Sequence, residues 1–394
     1  MSVFMLDHSY ALNGVTNPAE YQQLVKILGR GKKASRSLTL SQSYQLVRGF
    51  SDKLGSLTQL SVALMLMRVK GETAAEIAGA ALALRSTVAT DWQQLKVDID
   101  WPCYGAKRDQ LPYLLLSAKL LAENGYRIML HGDNSVLSHR QHIGFFTEAL
   151  NIANVKTAAE AASALESAGI CYVNADRFTP LVSSFGDIHR EVGLRSLFQS
   201  AIRCINPANA PLSLRSYFHG GLDDVHLNIA RLMAIYEPLL NHSRVAVFKG
   251  YQGECEFNPR ASNLIKVYST KMVTQVTLPT QLDALIGTKA NAAELQPAWL
   301  TALWQGEVIC GVKIETELEY VHHDEKTKRT DINELENSFN YSLNTAHSAE
   351  AQRAYHSAIT NVSALLMLLC PSQTLDGAKL QATDYWFKRN TNLA

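Results

Sequence analysis

The feature that most restricts the fold of this chain is a change of pattern near residue 96. Beyond it, short apolar runs alternate with longer helical segments, which predicts a mostly parallel sheet covered by helices. The runs that read as strands are Tyr126–Leu130, Ile170–Val173, Val245–Phe248 and Leu264–Tyr268. The intervening segments that read as helices are Gln110–Glu123, Ser138–Leu150 and Val225–Leu239. The larger part of the chain is therefore predicted to be α/β.

The first hundred residues carry helix signals instead. Asn17-Pro18 fits a helix cap followed by a first-turn proline. Thr39 with Gln42, and Thr73 with Glu76, have the spacing of capping boxes. Leu57–Val69 is nearly all apolar, so we expect a helix buried on most sides.

These patterns divide the chain into two predicted domains. Residues 16–95 form a small helical domain, joined by helices near residues 186–202, and residues 96–394 form the α/β domain. A charged insertion covers about residues 311–348, and within it Glu315–Glu336 carries many charges of both signs. A solvated segment is favoured there over a binding element, although a scaffold that binds a protein partner through the insertion stays a third hypothesis.

Composition excludes several classes of protein. The six cysteines are scattered without a C-x-x-C pair, which favours reduced thiols in a cytoplasm over a disulfide scaffold or zinc site. The start of the sequence does not read as a signal peptide, and the apolar runs are far shorter than a membrane span. We therefore expect a cytoplasmic protein without a membrane partner.

The net charge of +1 conceals a strong asymmetry. Between Lys26 and Lys70 there are nine basic residues and a single acid, Asp52, so this segment carries +8 and the remainder of the chain −7. Four of the cations lie in the glycine-broken stretch from Gly29 to Arg36. Glycines let a backbone approach a phosphate closely and cations neutralise it, so this loop is a candidate phosphate contact.

Several segments resemble one known family. Met67–Arg85 reads MRVKGETAAEIAGAALALR, which is similar to the R-x-K-G-E-T…E-I-A-G…M-R segment of anthranilate phosphoribosyltransferases, of glycosyltransferase family 3. His131-Gly132 follows a predicted strand as in the family's K-H-G-N-R. Arg190–Ser196 resembles R-E-L-G-x-R-T, and Asn206-Pro207-Ala208 resembles the N-P-A that follows it. The resemblance implies a helical N-terminal domain and a large α/β domain with a mostly parallel central sheet.

The same comparison shows departures where the family binds its substrates. The glycine-rich G-T-G-G-D turn, which holds the diphosphate, corresponds to the stretch Cys103–Asp109, with one glycine. The metal-binding D-E corresponds to Cys255-Glu256, and His189 stands where an arginine helps to bind anthranilate. This predicts a catalytically degenerate relative. The residues that would remain of the substrate site are Tyr104, Gly105, His131, Gly132 and Arg190.

A second acidic motif, Gly221-Leu222-Asp223-Asp224, looks more like the family's G-L-D-E than the true equivalent does. It precedes a predicted helix, whereas the family's acidic pair follows that helix. We therefore interpret Asp223 and Asp224 as the first turn of a helix, where negative charge is favourable, and not as metal ligands.

The basic residues resemble those of one branch of the family, bacterial paralogues that bind nucleic acid and lack the parent activity. Gly29-Arg30-Gly31-Lys32 and Tyr104-Gly105-Ala106-Lys107-Arg108 carry this resemblance. It implies a homodimer formed through the helical domains and binding of nucleic acid, as single- or double-stranded DNA or as RNA, without marked sequence specificity. The predicted phosphate contacts are Arg30, Lys32, Lys33, Arg36, Lys70, Lys107 and Arg108.

Under this leading hypothesis no cofactor is required. The alternative is an active glycosyl- or phosphoribosyltransferase that uses phosphoribosyl diphosphate and Mg²⁺ with an acceptor other than anthranilate. In that case Lys107 and Arg108 would hold the diphosphate, and Glu254 and Glu256 would hold Mg²⁺.

Overall fold

The N-terminal quarter of the protein is helical in the computed structural model, which describes residues 12–31, 33–108, 110–135, 140–270, 272–281, 295–306 and 348–393. Asn17 caps the first helix, with Pro18 in its first turn, and both predicted capping boxes are present at Thr39 and Thr73. The helices of this region are α1 (Pro18–Gly29), α2 (Leu40–Ser51), α3 (Leu57–Lys70), α4 (Ala74–Arg85) and α5 (Thr90–Gln93).

Helix α3 differs from the expectation that it would be buried on most sides. Only Leu60, Ala63, Leu64 and Met67 are buried in it, because one face alone packs on neighbouring helices. On the other face, Val62 and Val69 are exposed by 45% and 86%. Helix α3 therefore presents an apolar face that nothing in the described part of the chain covers.

The α/β region is built on one eight-stranded sheet, in the order β3-β4-β2-β1-β5-β6-β7-β8. The first six strands in this order are parallel, and β7 and β8 add an antiparallel edge. The strands are β1 (Ile99–Pro102), β2 (Ile128–Gly132), β3 (Ala153–Val155), β4 (Ile170–Asn174), β5 (Leu212–Tyr217), β6 (Arg244–Lys249), β7 (Asn263–Ser269) and β8 (Met272–Leu278). The prediction of a mostly parallel sheet behind a helical domain is confirmed.

Helices cover both faces of this sheet. They are α6 (Leu114–Glu123), α7 (Ala158–Ser167), α8 (Leu181–Val192), α9 (Phe198–Ala201), α10 (Leu222–Tyr236), α11 (Pro297–Gln305), α12 (Ser348–Leu369) and α13 (Leu375–Phe387). The prediction of a helix at Ser138–Leu150 is wrong, because its described part, from Arg140, holds only the short 3-10 turns Ile143–Phe145 and Glu148–Leu150. None of the described helices is long and apolar enough to cross a membrane.

The two larger of three apolar cores lie on opposite sides of the sheet. One joins the helical region to α8, α9 and α10, and the other packs α6, α11, α12 and α13 against the sheet. Arg85, buried at the end of α4, donates hydrogen bonds to the carbonyls of Ile205 and Asn206. This ties the end of the Met67–Arg85 motif to the Asn206-Pro207-Ala208 motif, so both segments hold the helical region against the α/β region. The charged insertion, up to residue 347, lies outside the described residues.

Candidate functional site

Two loops meet at the carboxyl ends of the parallel strands, where open α/β sheets bind their ligands. The turn at residues 103–108 follows β1, and the loop at residues 250–256 follows β6. A Cβ on Gly105 would lie 2.1 Å from the carbonyl oxygen of Gly253, so only glycine allows the two backbones to approach this closely. The single glycine kept in the turn therefore serves the contact between these loops.

Beneath this contact lies a buried ionic centre, formed by Lys107, Glu254 and Glu256, all three fully buried. The ammonium of Lys107 lies 2.5 Å from Oε1 of Glu256 and donates to the carbonyl of Leu111 at 3.0 Å. It also lies 4.7 Å from the ring centroids of two tyrosines, Tyr113 and Tyr251. The Lys107 charge is thus neutralised inside the protein.

Both carboxylates of the ionic centre are already satisfied by protein groups. Glu256 also accepts hydrogen bonds from the Leu114 N–H, at the start of α6, and from the Ser357 hydroxyl. Glu254 accepts hydrogen bonds from the backbone N–H groups of Ala106 and Cys255, both at 2.8 Å. Burial raises the pKa of Glu254 in spite of these bonds.

This arrangement does not fit a Mg²⁺ site. A magnesium ion needs near-octahedral oxygen ligands at about 2.1 Å, and the ammonium of Lys107 stands against the Glu256 oxygen that would supply one. Within the described ranges, no group of three or more His, Cys, Asp or Glu side chains could hold a metal ion. The assignment of Glu254 and Glu256 to a metal is therefore not favoured by their surroundings.

The prediction that Lys107 contacts a phosphate also needs correcting, because its ammonium is buried and paired with Glu256. Sequence reasoning counted it as a free cation because the acid that pairs with it lies 149 residues further along the chain. Its neighbour Arg108 is exposed, and the Arg108 N–H donates to the side chain of Gln252. Adjacent cations of one turn thus face opposite directions, one into the core and one towards solvent.

Tyr104, Gly105, His131 and Gly132 are brought together above the sheet. The Tyr104 hydroxyl lies 2.8 Å from Nδ1 of His131, and Nε2 of that ring lies 2.9 Å from Oδ1 of Asp100. A Cβ on Gly132 would lie 2.7 Å from the Cys103 carbonyl oxygen, so the strand and the turn are in close contact. Arg190 does not join these contacts, since it pairs with Asp187 on α8.

The hydrogen bonds define the donor and the acceptor at each step of the Tyr104–His131–Asp100 chain. Burial, with the nearby charge of Asp133, raises the pKa of Tyr104 well above its ordinary value, so its hydroxyl donates to His131. Burial alone would raise the pKa of Asp100, but its contacts with His131, Arg215 and Ser213 outweigh burial and lower it. Asp100 is therefore an ionised acceptor for the N–H at Nε2 of His131.

Five arginines lie around these loops at the carboxyl edge of the sheet, which we call the opening. We call Arg68, Arg108, Arg140, Arg195 and Arg203 the arginine cluster. Arg140 donates to the Gly105 carbonyl at 3.1 Å, and Arg68 donates to the Arg195 carbonyl at 2.8 Å. Burial and the nearby charges of Arg203, Arg108 and Arg68 lower the pKa of Arg195. Burial and the charges of Arg108 and Arg195 likewise lower the pKa of Arg140, so these cations lie close together.

The loop that follows α1 carries a second set of cations. Arg30, Lys33 and Arg36 are exposed, as is Lys70 at the end of α3, and Lys32 lies outside the described residues. A Cβ on Gly29 would lie 3.5 Å from the Leu66 side chain, so the end of α1 rests on the last turns of α3. The structure therefore places this loop and Lys70 at the same end of the helical region. We call Arg30, Lys33, Arg36 and Lys70 the helical-domain cations.

Asp223 and Asp224 lie in the first turn of α10, as expected. Both pair with Lys266, at 2.6 Å and 2.8 Å, which lowers the pKa of Asp223 and raises the pKa of Lys266. Their role is to join this helix to β7.

Sequence reasoning missed most of the arginine cluster. Arg140 and Arg203 are isolated in the sequence and gave no local signal. Arg68 and Arg195 stood within the motifs that carry the family resemblance, but only the fold places them beside Arg108. Such a cluster depends on contacts between distant segments.

Comparisons with known proteins agree with this architecture. Residues 22–88 match the sequence model of the glycosyl transferase family helical bundle domain. Anthranilate phosphoribosyltransferase of Thiobacillus denitrificans is 28% identical over 228 residues, which are 57% of this chain and 64% of that protein. The chain thus matches somewhat less than two thirds of the length of this relative.

Solved structures resemble most of the chain. The anthranilate phosphoribosyltransferase of Thermus thermophilus gives a TM-score of 0.61 at 17% identity, covering 93% of this chain and 94% of that one. The Saccharomyces cerevisiae anthranilate phosphoribosyltransferase in complex with PRPP (phosphoribosyl diphosphate) and Mg gives 0.60 at 13% identity, covering 94% and 97%. The chain has an anthranilate phosphoribosyltransferase-like fold of the glycosyltransferase family 3 type.

Proposed function

We propose that this protein binds nucleic acid on a phosphoribosyltransferase-like fold without transferring a phosphoribosyl group. The observation that carries the proposal is the contrast between two kinds of cation. Lys107 is buried and paired with Glu256, where the family holds the diphosphate and metal, whereas Arg108 in the same turn and the helical-domain cations are exposed. Within the described residues, no carboxylate pairs with Arg30, Lys33, Arg36, Lys70 or Arg108.

Such cations support binding that is dominated by phosphate contacts. Each Lys or Arg that neutralises a phosphate releases condensed counterions, so affinity falls steeply with salt and depends little on base sequence. The chain remains near-neutral as a whole, which confines the attraction to the helical region and the opening above the turn. DNA, single- or double-stranded, and RNA all offer this chemistry.

A homodimer through the helical region belongs to the same proposal. The face of α3 that carries Val62 and Val69 is apolar and uncovered, and a groove between α1 and α3 adjoins it. Lys26 and Arg30 line that groove beside Val25 and Leu66. Pairing of two such faces would bring the helical-domain cations of both subunits to one extended surface.

The test is nucleic-acid binding by fluorescence anisotropy at about 50 mM and about 200 mM salt, with labelled single strands and duplexes. The triple variant Arg30→Ala, Lys33→Ala, Arg36→Ala is expected to bind at least about tenfold more weakly and with a reduced salt slope. A matched control, Lys156→Ala, Arg231→Ala, Lys388→Ala, removes three cations from other elements. Equal affinities for the triple variant and the control, or no binding by the wild type, would refute the proposal.

The competing function is phosphoribosyl transfer, and one observation favours it. The ordered Tyr104–His131–Asp100 chain stands at the edge of the sheet beside the turn, and the yeast relative is solved with PRPP and Mg. In this chain, however, the Glu256 carboxylate is already paired with the ammonium of Lys107. Calorimetric titration with phosphoribosyl diphosphate and Mg²⁺ decides: heat of binding supports the transferase, and no detectable heat at high micromolar ligand counts against it.

A further inference from the structure

The opening above the turn combines the arginine cluster with an exposed aromatic ring. Phe218 directly follows β5, at the carboxyl edge of the sheet, and 53% of its surface is exposed. A Cβ on Gly253 would lie 3.6 Å from its ring, so the ring stands over the loop that also contacts Gly105. Arg203 donates to the carbonyl of Ser216, two residues before the ring.

The loops link this ring to every part of the cluster. The Arg140 guanidinium donates to the Gly105 carbonyl, and the backbone N–H of Arg108 donates to the side chain of Gln252, the residue before Gly253. Arg195 lies close enough to Arg203 and Arg108 for its pKa to be lowered by both. Arg68 reaches the same place from the end of α3, two residues before Lys70. The cluster therefore extends from the Phe218 ring towards the helical-domain cations.

The acids that the structure describes around the cluster do not balance its charge. Glu72 lies near Arg68 and Glu254 near Arg203, and burial raises the pKa of both carboxyl groups. Even with both ionised, five guanidinium groups leave an excess of positive charge. Two donors are also buried without a partner among the described residues, the Nε groups of Arg140 and Arg203. A buried donor without an acceptor is unfavourable, so the cluster is suited to an anion that supplies acceptors.

We propose that the arginine cluster and Phe218 bind a short segment of single-stranded nucleic acid, with phosphates on the guanidinium groups and one base stacked on the Phe218 ring. This inference rests on the proposed function. It adds where on the protein the nucleic acid binds and that the bound segment is single-stranded. Base stacking on an exposed aromatic ring, combined with a cationic groove, is how proteins bind single strands without sequence preference. A duplex keeps its bases stacked on each other, so it would engage the cations but not the ring.

The test compares Phe218→Ala with Leu239→Ala, which removes a side chain of the same 53% exposure. Leu239 precedes β6, so it lies towards the amino ends of the parallel strands, whereas Phe218 lies at their carboxyl ends. Phe218→Ala is expected to weaken binding of a labelled single strand about tenfold, the effect of losing one stacking position, and to leave duplex binding unchanged. Leu239→Ala should change neither.

A second pair of variants tests the phosphate contacts. Arg140→Ala with Arg195→Ala should weaken single-strand binding at least as much as Phe218→Ala and should lower its salt slope by about two. Phe218→Trp places a fluorescent indole at the proposed stacking position. The tryptophan emission that this variant adds to that of the wild type should be quenched when the oligonucleotide binds.

The outcomes separate this inference from the proposed function. If the wild type binds no nucleic acid, both fail. If it binds and Phe218→Ala changes single-strand and duplex affinity equally, or neither, the inference is overturned while the proposed function stands.

Discussion

Lys107 and Arg108 are neighbours in one turn, yet they belong to two regions with opposite chemistry. Lys107 is fully buried in the ionic centre, where Glu256, a carbonyl and two aromatic rings surround its ammonium. Arg108 is exposed among other arginines, and no described carboxylate pairs with it. The first cation is a structural part of the turn, whereas the second remains available to a ligand. Cations in a sequence therefore mark a binding site only where the fold leaves them without a protein partner.

Replacing Lys107 should produce the largest effect, and it acts on stability. Lys107→Met leaves the Glu256 carboxylate buried without a counter-charge, which should lower the free energy of unfolding by about 3–5 kcal/mol. Urea denaturation followed by circular dichroism measures the change. Arg108→Met, the matched control, should stay within about 0.5 kcal/mol of the wild type because its side chain is exposed.

Glu256→Gln in the Lys107→Met background distinguishes lost charge compensation from lost packing. The amide oxygen can still accept the bond from the Leu114 N–H, and the unpaired charge is gone. The double variant should therefore recover a substantial part of the lost stability. A double variant as unstable as Lys107→Met alone would show that the ion pair is not the cause.

Much of the fold could be predicted because it depends on local patterns. The caps at Asn17, Thr39 and Thr73 follow from side chains that reach backbone donors three residues away. The predicted strands, which overlap β2 and lie within β4, β6 and β7, follow from short apolar runs. Strand β1, with the sequence IDWP, contains a buried aspartate and a proline and carries no such pattern. Its Asp100 is tolerated only through partners on other segments.

The candidate site could be predicted only in part, for the same physical reason. The turn at residues 103–108 was recognised from its position relative to family motifs, but the burial of Lys107 depends on Glu256, far along the chain. The arginine cluster draws its members from α3, from the loops after β1 and β2, and from segments that flank α9. Charge counted along the sequence placed the emphasis on the Gly29–Arg36 loop, whereas the fold gathers a second cationic surface near the sheet.

The pH dependence of stability reports on His226, which lies buried near Arg203 of the arginine cluster. It is buried in α10, and burial together with the charges of Arg203 and Arg215 lowers its pKa to about 3. The unfolded chain binds this proton below about pH 6.5, so the stability from a neutral His226 is lost as the pH falls from 6.5 towards 3. The loss should be on the order of 1 kcal/mol per pH unit.

Denaturant melts between pH 7 and pH 5 measure this slope. His226→Gln should flatten it, leaving the share from His356, whose pKa burial lowers to about 4. Lys107→Met should keep the wild-type contribution of His226, because its ion pair is separate. An unchanged slope in His226→Gln would mean that the histidine is not the group that titrates.

Removal of the Tyr104 hydroxyl should have a smaller effect. Tyr104→Phe deletes the donor to Nδ1 of His131 and keeps the ring, so stability should fall by about 1 kcal/mol. Nucleic-acid affinity should not change, because the hydroxyl is engaged with His131 and not with the opening. Thermal melts and anisotropy on the same samples measure both quantities. A loss of affinity without a loss of stability would instead place Tyr104 among the ligand contacts.

Arg108→Ala should have the smallest effect, and it sharpens the contrast with Lys107. With one phosphate contact fewer, the slope of log affinity against log salt should fall by about one for all nucleic-acid sequences alike. Stability should remain within about 0.5 kcal/mol of the wild type, since the side chain is exposed. Anisotropy over a salt series, beside urea denaturation, gives both values. If Arg108→Ala instead lowered stability and left the salt slope unchanged, the two cations of this turn would share a structural role. Arg108 would then not belong to the proposed binding surface.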